Sequence, residues 1–252
     1  MARLGLIGYS LEHSFSKGYF EEKFRKEGIE GIKYDNFPLS DIGKFPELIY
    51  QNPDLVGLNV TIPYKREVIT YLDELSPLAE EIRAVNTITI KREGHKVWLK
   101  GHNTDITGFM ESIEGQTEAI KKALILGSGG ASQAIMKALE KLQMDYLLIS
   151  RKRGNKALTY DDVDETLIKE YPLIINCTPL GMQGREDEKP PLPYEHLGKR
   201  NFLYDLIYNP SETLFLKEGK KRGAQTQNGR KMLIGQAEHA WLEWRPLLPI
   251  SF

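Results

Sequence analysis

Two segments of this chain carry residue types that acid–base chemistry uses. Residues 58–65 (Leu, Asn, Val, Thr, Ile, Pro, Tyr, Lys) read as a strand end that turns into a helix, with Lys65 in its first turn. Pro63 suits that turn, since the first helical position needs no backbone donor. A lysine there faces the positive end of the helix macrodipole, which singles it out. On residue type alone, though, a lysine snorkelling to solvent is the plainer reading. Residues 103–109 (Asn, Thr, Asp, Ile, Thr, Gly, Phe) put the Asp105 carboxyl at a helix start. In isolation Thr104 or Asp105 is a plain N-cap. Ser14 and Ser16 precede apolar positions Tyr19, Phe20 and Phe24 at helical spacing, with Ser16 placed to cap that helix.

A third segment concerns phosphate. The apolar run 123–126 breaks into Gly127, Ser128, Gly129, Gly130, Ala131 and Ser132, and a helix follows to about Leu142. In this strand–turn–helix layout Gly127 allows a tight turn. Gly129 lets the backbone approach a pyrophosphate at the helix N-terminus. Ser132 stands where the third glycine of the fingerprint is usual. About twenty residues on, an NAD-binding unit would place an acid against the ribose hydroxyls. Here the chain reads Ser150, Arg151, Lys152, Arg153, with no acid, and cations suit the 2′-phosphate of NADP. A solvated basic loop has the same composition.

The elements around these segments divide the chain in character. In the first half, residues 4–9, 34–39 and 55–62 read as strands. Ser40 caps a helix bearing Ile42, Phe45 and Leu48, a further helix lies near 77–84, and 86–90 and 97–99 form a hairpin around Gly94. In the second half, 123–126, 146–150, 173–177 and 201–207 are apolar runs alternating with helices, which means a parallel doubly wound sheet. The fold class is therefore α/β with two domains. With 252 residues, 40% apolar and 27% charged, the chain is long enough for two modest domains. A net charge of −1 gives no global drive toward nucleic acid or membrane. Cys177 is the only cysteine, so an internal disulfide and a Cys-rich zinc site are excluded. Its place at the end of an apolar strand makes it a small buried residue and not a reactive thiol. His13 and His102 read as structural or polar-surface residues without a metal-ligand set. No apolar stretch suffices for a membrane span, and the N-terminal one is too short for a signal peptide.

Taken together, the segments resemble the shikimate dehydrogenase family over nearly the whole chain and in the same order. The matching pieces include the His-Ser-x-Ser core around Ser14 and Ser16, Asn59 to Lys65, and the Ala-Val-Asn-Thr of Asn86. Asn103 to Phe109, the glycine turn, Asn176 to Met182, Asp205 to Pro210, and Gly229 to Gln236 continue the series. Such a resemblance implies a substrate domain of residues 1–103 plus 229–252, with a Rossmann-like NADP domain of residues 104–228 inserted and the C-terminal helices returning to the first. It implies that Ser14, Ser16, Thr61 and Tyr208 bind a substrate carboxylate. Asn59, Asn86, Asp105 and Gln236 would hold ring hydroxyls, with Lys65 and Asp105 flanking the reacting carbon. Thr178, Met182, Gly229 and Met232 would line the nicotinamide, with Gly127, Ser128, Gly129, Gly130 and Ala131 at the pyrophosphate and Arg151 at the 2′-phosphate. The activity implied is NADP-dependent reversible reduction of 3-dehydroshikimate to shikimate, in aromatic amino-acid biosynthesis. Expected partners are the small-molecule substrates alone, for a cytoplasmic monomer or homodimer. Quinate dehydrogenase activity is the alternative, and a non-catalytic NADP sensor a more distant one. The chain departs from the family at Lys17, where proline is usual, and at Lys152, where threonine is common. Residues 154–163 are too short and polar for the usual second crossover helix.

Overall fold

The computed structural model describes residues 1–12, 14–154 and 157–249. His13 and, within the 154–163 segment, Asn155 and Lys156 lie outside the described residues. The chain divides into two compact units: Met1–Thr104 together with the residues from Ala237 on, and Asp105–Gln236.

The first unit is built on β1 (Ala2–Gly8), whose leucines and isoleucine are buried on both faces because it lies between two parallel partners. It pairs with β2 (Ile32–Pro38) and β3 (Leu55–Val60). Helix α1 (Phe15–Glu27) connects β1 to β2, and α2 (Phe45–Gln51) connects β2 to β3. The sheet then turns antiparallel. A two-residue strand β4 (Glu74–Leu75) and helix α3 (Pro77–Ile82) lead to the hairpin β5 (Thr87–Glu93) and β6 (Lys96–His102), and the order is β2-β1-β3-β5-β6-β4. Three local expectations are corrected. Ser14, not Ser16, is the N-cap residue of α1, and Asp41, not Ser40, caps the turn before α2 by accepting from Gly43 N–H at 2.6 Å. No helix starts at Pro63. That residue follows Ile62 through a cis peptide bond, the chain turns there, and only Glu67–Tyr71 winds into a 3-10 helix. The macrodipole argument for Lys65 therefore has no helix to act through.

The second unit opens with α4 (Asp105–Ile113) and holds six parallel strands. These are β7 (Lys122–Leu126), β8 (Asp145–Ser150), β9 (Ala157–Thr159), β10 (Leu173–Asn176), β11 (Phe202–Asp205) and β12 (Gln225–Gln227). Helices α5 (Gly130–Lys141), α6 (Glu165–Glu170) and α7 (Leu214–Lys221) serve as connections. The order β12-β11-β10-β7-β8-β9 reverses direction at β7, so a crevice opens beyond the carboxyl ends of β7 and β10, where open parallel sheets take their ligands. Between β8 and β9 the described residues hold no helix. A 3-10 turn, Tyr160–Asp162, follows β9 before α6.

The last helix, α8 (Arg230–Trp244), contributes to both units. Its first residues pack on the second: a Cβ on Gly229 would lie 2.1 Å from the Leu206 carbonyl, and one on Gly108 would overlap Gln236 N at 2.6 Å. The boundary consequently falls between Gln236 and Ala237 and not before Gly229. Its last residues pack on the first sheet. Trp244 fills the space over Gly57 and donates to the Ile88 carbonyl at 2.9 Å, joining Phe20, Phe24 and Tyr34 in an aromatic core. None of the helices among the described residues is long and apolar enough to cross a membrane.

Candidate active site

In the first unit the strand ends carry a buried network of amides and hydroxyls. Tyr34 on β2 reaches past β1 and donates to Asn59 Oδ1 at 2.7 Å. Asn59 Nδ2 donates to the Asn86 carbonyl at 3.2 Å and to the Thr87 hydroxyl at 3.3 Å. The Asn86 side chain grips Thr104 twice, accepting its N–H at 2.7 Å and donating to its hydroxyl at 2.9 Å. Asn103 Nδ2 meanwhile holds the Ala84 carbonyl at 3.1 Å. All of these side chains are buried, where an unmade hydrogen bond is costly and a made one fixes geometry. Burial drives the Tyr34 phenol far above its ordinary pKa, a rise that hydrogen bonding from Ser16 opposes.

Thr61 and Lys65 are tied to this frame through their backbones. Thr61 N–H donates to the Ile7 carbonyl at 2.9 Å, and the Lys65 carbonyl accepts from Val85 N–H at 2.7 Å. The structure thus gathers Ser16, Asn59, Thr61, Lys65 and Asn86 at one end of the first sheet. Ser14 stands at the start of α1, where its side chain makes no capping bond. His102, read as structural or surface-lying, is buried between Thr89 and Glu243, each 3.3 Å from a ring nitrogen. Desolvation lowers its pKa, and the Glu243 carboxylate opposes that effect.

In the second unit a cavity of about 590 Å³ lies at the crevice beyond β7 and β10. Gly127, Ser128, Gly129, Arg151 and Thr178 line it, as do Tyr160 and Cys177. Gly127 has φ +99° and lies so close to Thr178 that a Cβ would come within 2.8 Å of its methyl. A Cβ on Gly129 or Gly130 would meet nothing within 4 Å, and Gly129 as N-cap of α5 has no side chain to satisfy the helix N–H groups. Gly130 and Ala131 form the first turn of α5 and are not part of the cavity wall. Ser132, the departure from the glycine fingerprint, is fully buried and donates to the Gly129 carbonyl at 2.6 Å. Of the three cations after β8, Arg153 is paired with Asp162, which also accepts from Thr159 N–H at 2.7 Å and the Thr159 hydroxyl at 2.8 Å. Only Arg151 lines the cavity.

Behind the cavity Asn176 and Asp205 lock the ends of β10 and β11. Asp205 accepts from Thr213 at 2.6 Å, Asn176 Nδ2 at 3.0 Å and Ile207 N–H at 3.0 Å. Burial still dominates and pushes its pKa up to about 6. Burial, and then the Asp205 charge, raise the Cys177 thiol well above its usual range, so it stays protonated. Met182 and Tyr208 sit on exposed loops beyond these strands, Gly229 lies just before α8 against the Leu206 carbonyl, and Met232 and Gln236 belong to the α8 end packed on Gly108. Sequence reading missed Tyr34 and Asp162, and it gave Thr87 and Asp205 no role although both stand in the matching segments. Tyr34 lacks a local motif, and the Asp205 signal was its place in an apolar run that tolerates no unpaired acid.

Fold and sites together define a two-unit α/β protein whose second unit has the dinucleotide-binding layout. Residues 6–88 match the family model described as the shikimate dehydrogenase substrate binding domain. A shikimate dehydrogenase (NADP(+)) from Caldicellulosiruptor saccharolyticus is 36% identical, the alignment covering 100% of this chain and 95% of the relative. A crystal structure of a shikimate dehydrogenase in complex with NADP+ superposes with a TM-score of 0.83 at 34% identity, over 98% of this chain and 90% of the other. That of the Thermus thermophilus enzyme in complex with NADP(H) and shikimate gives 0.83 at 30% identity, over 99% and 95%. The chain belongs to the shikimate dehydrogenase family.

Proposed function

We infer that this chain is an enzyme catalysing the NADP-dependent, reversible reduction of 3-dehydroshikimate to shikimate. The observation that carries the reading is 36% identity along the entire chain with a relative named for that activity and cofactor. Each unit has residues suited to its part. The open space at Gly129 and Gly130, with the uncapped start of α5, fits a pyrophosphate. Arg151 at the cavity wall fits a 2′-phosphate, for which its planar fork of donors is suited. Thr178, Met182, Gly229 and Met232 are proposed for the nicotinamide end. When bound, NADP takes up or supplies the hydride at carbon 3.

The chain's own residues then have three tasks. Ser14, Ser16, Thr61 and Tyr208 hold the carboxylate, which needs donors. Asn59, Asn86, Asp105 and Gln236 hold ring hydroxyls. For Asn59 the hydrogen-bond accounting is specific: its amide donors serve Asn86 and Thr87, so it offers the second lone pair of Oδ1 to a hydroxyl hydrogen. Lys65 and Asp105 handle the proton. Hydride arrival leaves negative charge on the ketone oxygen, and this pair stabilises and protonates it; in the reverse direction it takes the hydroxyl proton. We further propose that the enzyme works in the cytoplasm, with which its single cysteine agrees, as a monomer or homodimer.

The test is a cofactor-reduction assay on the purified chain, crossing shikimate and quinate against NADP and NAD. Shikimate with NADP should be the fastest pair. Equal or better turnover of quinate would transfer the chain to the alternative activity, and cofactor binding without any turnover would make it a sensor.

A further inference from the structure

Three buried side-chain polar atoms in the first unit find no hydrogen-bond partner among the described residues: Arg3 Nε and, flanking the end of β1, the pair Ser14 Oγ and Asn36 Oδ1. Such orphans are uncommon in native proteins and call for a reason. The pair belongs to one arrangement. The Leu11 carbonyl accepts Ser14 N–H at 3.1 Å and Asn36 Nδ2 at 3.1 Å. A carbonyl only accepts, so the Asn36 nitrogen must face Leu11 and its oxygen must face away. The orphan oxygen follows from that commitment and not from an interchanged amide. The β1–β2 register sets Asn36 opposite Leu6, near the end of β1, from which residues 9–12 depart.

Neither orphan helps stability. A serine at an N-cap ordinarily accepts a helix N–H, and Ser14 does not. An asparagine that secures one bond by stranding its acceptor gains little net. Local costs of this kind gather where a site needs a particular geometry. We propose that Asn36 is a positioning residue of the substrate site: through the Leu11 carbonyl it holds the turn that presents the Ser14 hydroxyl to the substrate carboxylate. The inference rests on the reading of Ser14 under the proposed function and adds a residue from β2 to that site.

The test uses the full chain with Asn36→Ala, Asn36→Asp, Ser14→Ala and the Asn36→Ala/Ser14→Ala double variant. Asn36→Ala should raise the KM for shikimate about three- to tenfold, the size of one ordinary hydrogen bond. It should leave kcat and the KM for NADP unchanged. Its thermal midpoint should not fall, because the stranded acceptor goes with the lost donor. Asn36→Asp keeps the shape and the acceptor but has no donor for Leu11, so it should behave like alanine. In the Ser14→Ala background the Asn36→Ala effect should disappear, as expected of a residue that acts through another. Additive effects in the cycle, a wild-type KM in Asn36→Asp, or a lowered midpoint with unchanged KM would each overturn the proposal. Should the wild-type chain fail to oxidise shikimate at all, the proposed function falls first. A working wild type with an indifferent Asn36 sinks this inference alone.

Discussion

Replacing Arg151 by alanine should narrow the preference for NADP over NAD. Three cations follow β8, and a basic loop read from sequence alone would let any of them stand in for another. The structure removes that freedom. Arg153 is occupied by Asp162, whose carboxylate is itself fixed by two bonds from Thr159. The Lys152 carbonyl accepts the Ser150 hydroxyl at 2.5 Å, and its side chain is not part of the cavity wall. Arg151 lines the cavity together with Gly127 and Gly129. One charge-assisted contact to a phosphate is worth about 1.5–3 kcal/mol, and without compensation its loss weakens binding about ten- to a hundredfold. The KM and dissociation constant for NADP should rise by that factor while those for NAD stay level. Direct titration of the cofactor, followed by protein fluorescence, separates binding from turnover. Equal weakening of both cofactors, or a wild-type enzyme that prefers NAD, would reduce the loop to a solvated surface.

Lys65→Ala and Asp105→Asn should each lower kcat by roughly 10²–10⁴-fold with the fold intact by circular dichroism; near-wild-type turnover at saturating shikimate would remove either from the acid–base pair. Ser14→Ala should raise the KM for shikimate by the equivalent of about 1.5–3 kcal/mol without lowering the melting temperature, since no capping bond is lost. A lower melting temperature with unchanged KM would restore the serine to a helix cap. Asp205 makes a pH prediction. Its folded pKa of about 6 lies above the ordinary 3.8, so the folded state keeps the proton between those values while the unfolded state does not. Its contribution is therefore neutral below about pH 3.8, destabilising as pH rises, and costs about 3 kcal/mol above about pH 6. Asp205→Asn should gain stability on the wild type across that window in urea unfolding; a constant difference between about pH 4 and about pH 8 would refute the assignment.

The sequence was legible where chemistry and element coincide locally. The strand before Gly127, the glycine turn and the helix after it form one contiguous signal, and the apolar runs of the second unit became its parallel strands. The reading failed where a local rule had two outcomes. Pro63 fits a first helical turn and equally a turn with no helix, and the chain took the second. Serines flanking a helix start compete for the cap, and Ser14 won the position without making the bond. It was silent where contacts depend on register. Tyr34 meets Asn59 only because β1 lies between β2 and β3, and Arg153 meets Asp162 only because β9 pairs alongside β8. No spacing along the chain encodes either meeting.

The make-up of the first unit's network bears on how the proposed chemistry is kept apart from the scaffold. Tyr34, Asn59, Asn86, Thr87 and Thr104 are all buried, and every one is neutral. A carboxylate in their place would be pushed toward its protonated form by desolvation, as Asp205 is in the second unit despite three hydrogen bonds. Its hydrogen-bond pattern would then change with pH, and the geometry with it. Amides and hydroxyls keep the same donors and acceptors throughout the working range, so the frame does not titrate. The two groups proposed to move a proton, Lys65 and Asp105, are only half-buried. The frame grips Lys65 through its backbone carbonyl, and it grips the residue before Asp105 through Asn86. Backbone anchoring of this kind fixes where an ionisable side chain starts and leaves the side chain outside the buried frame. Position comes from buried neutral groups, and the ionisable side chains stand at their margin.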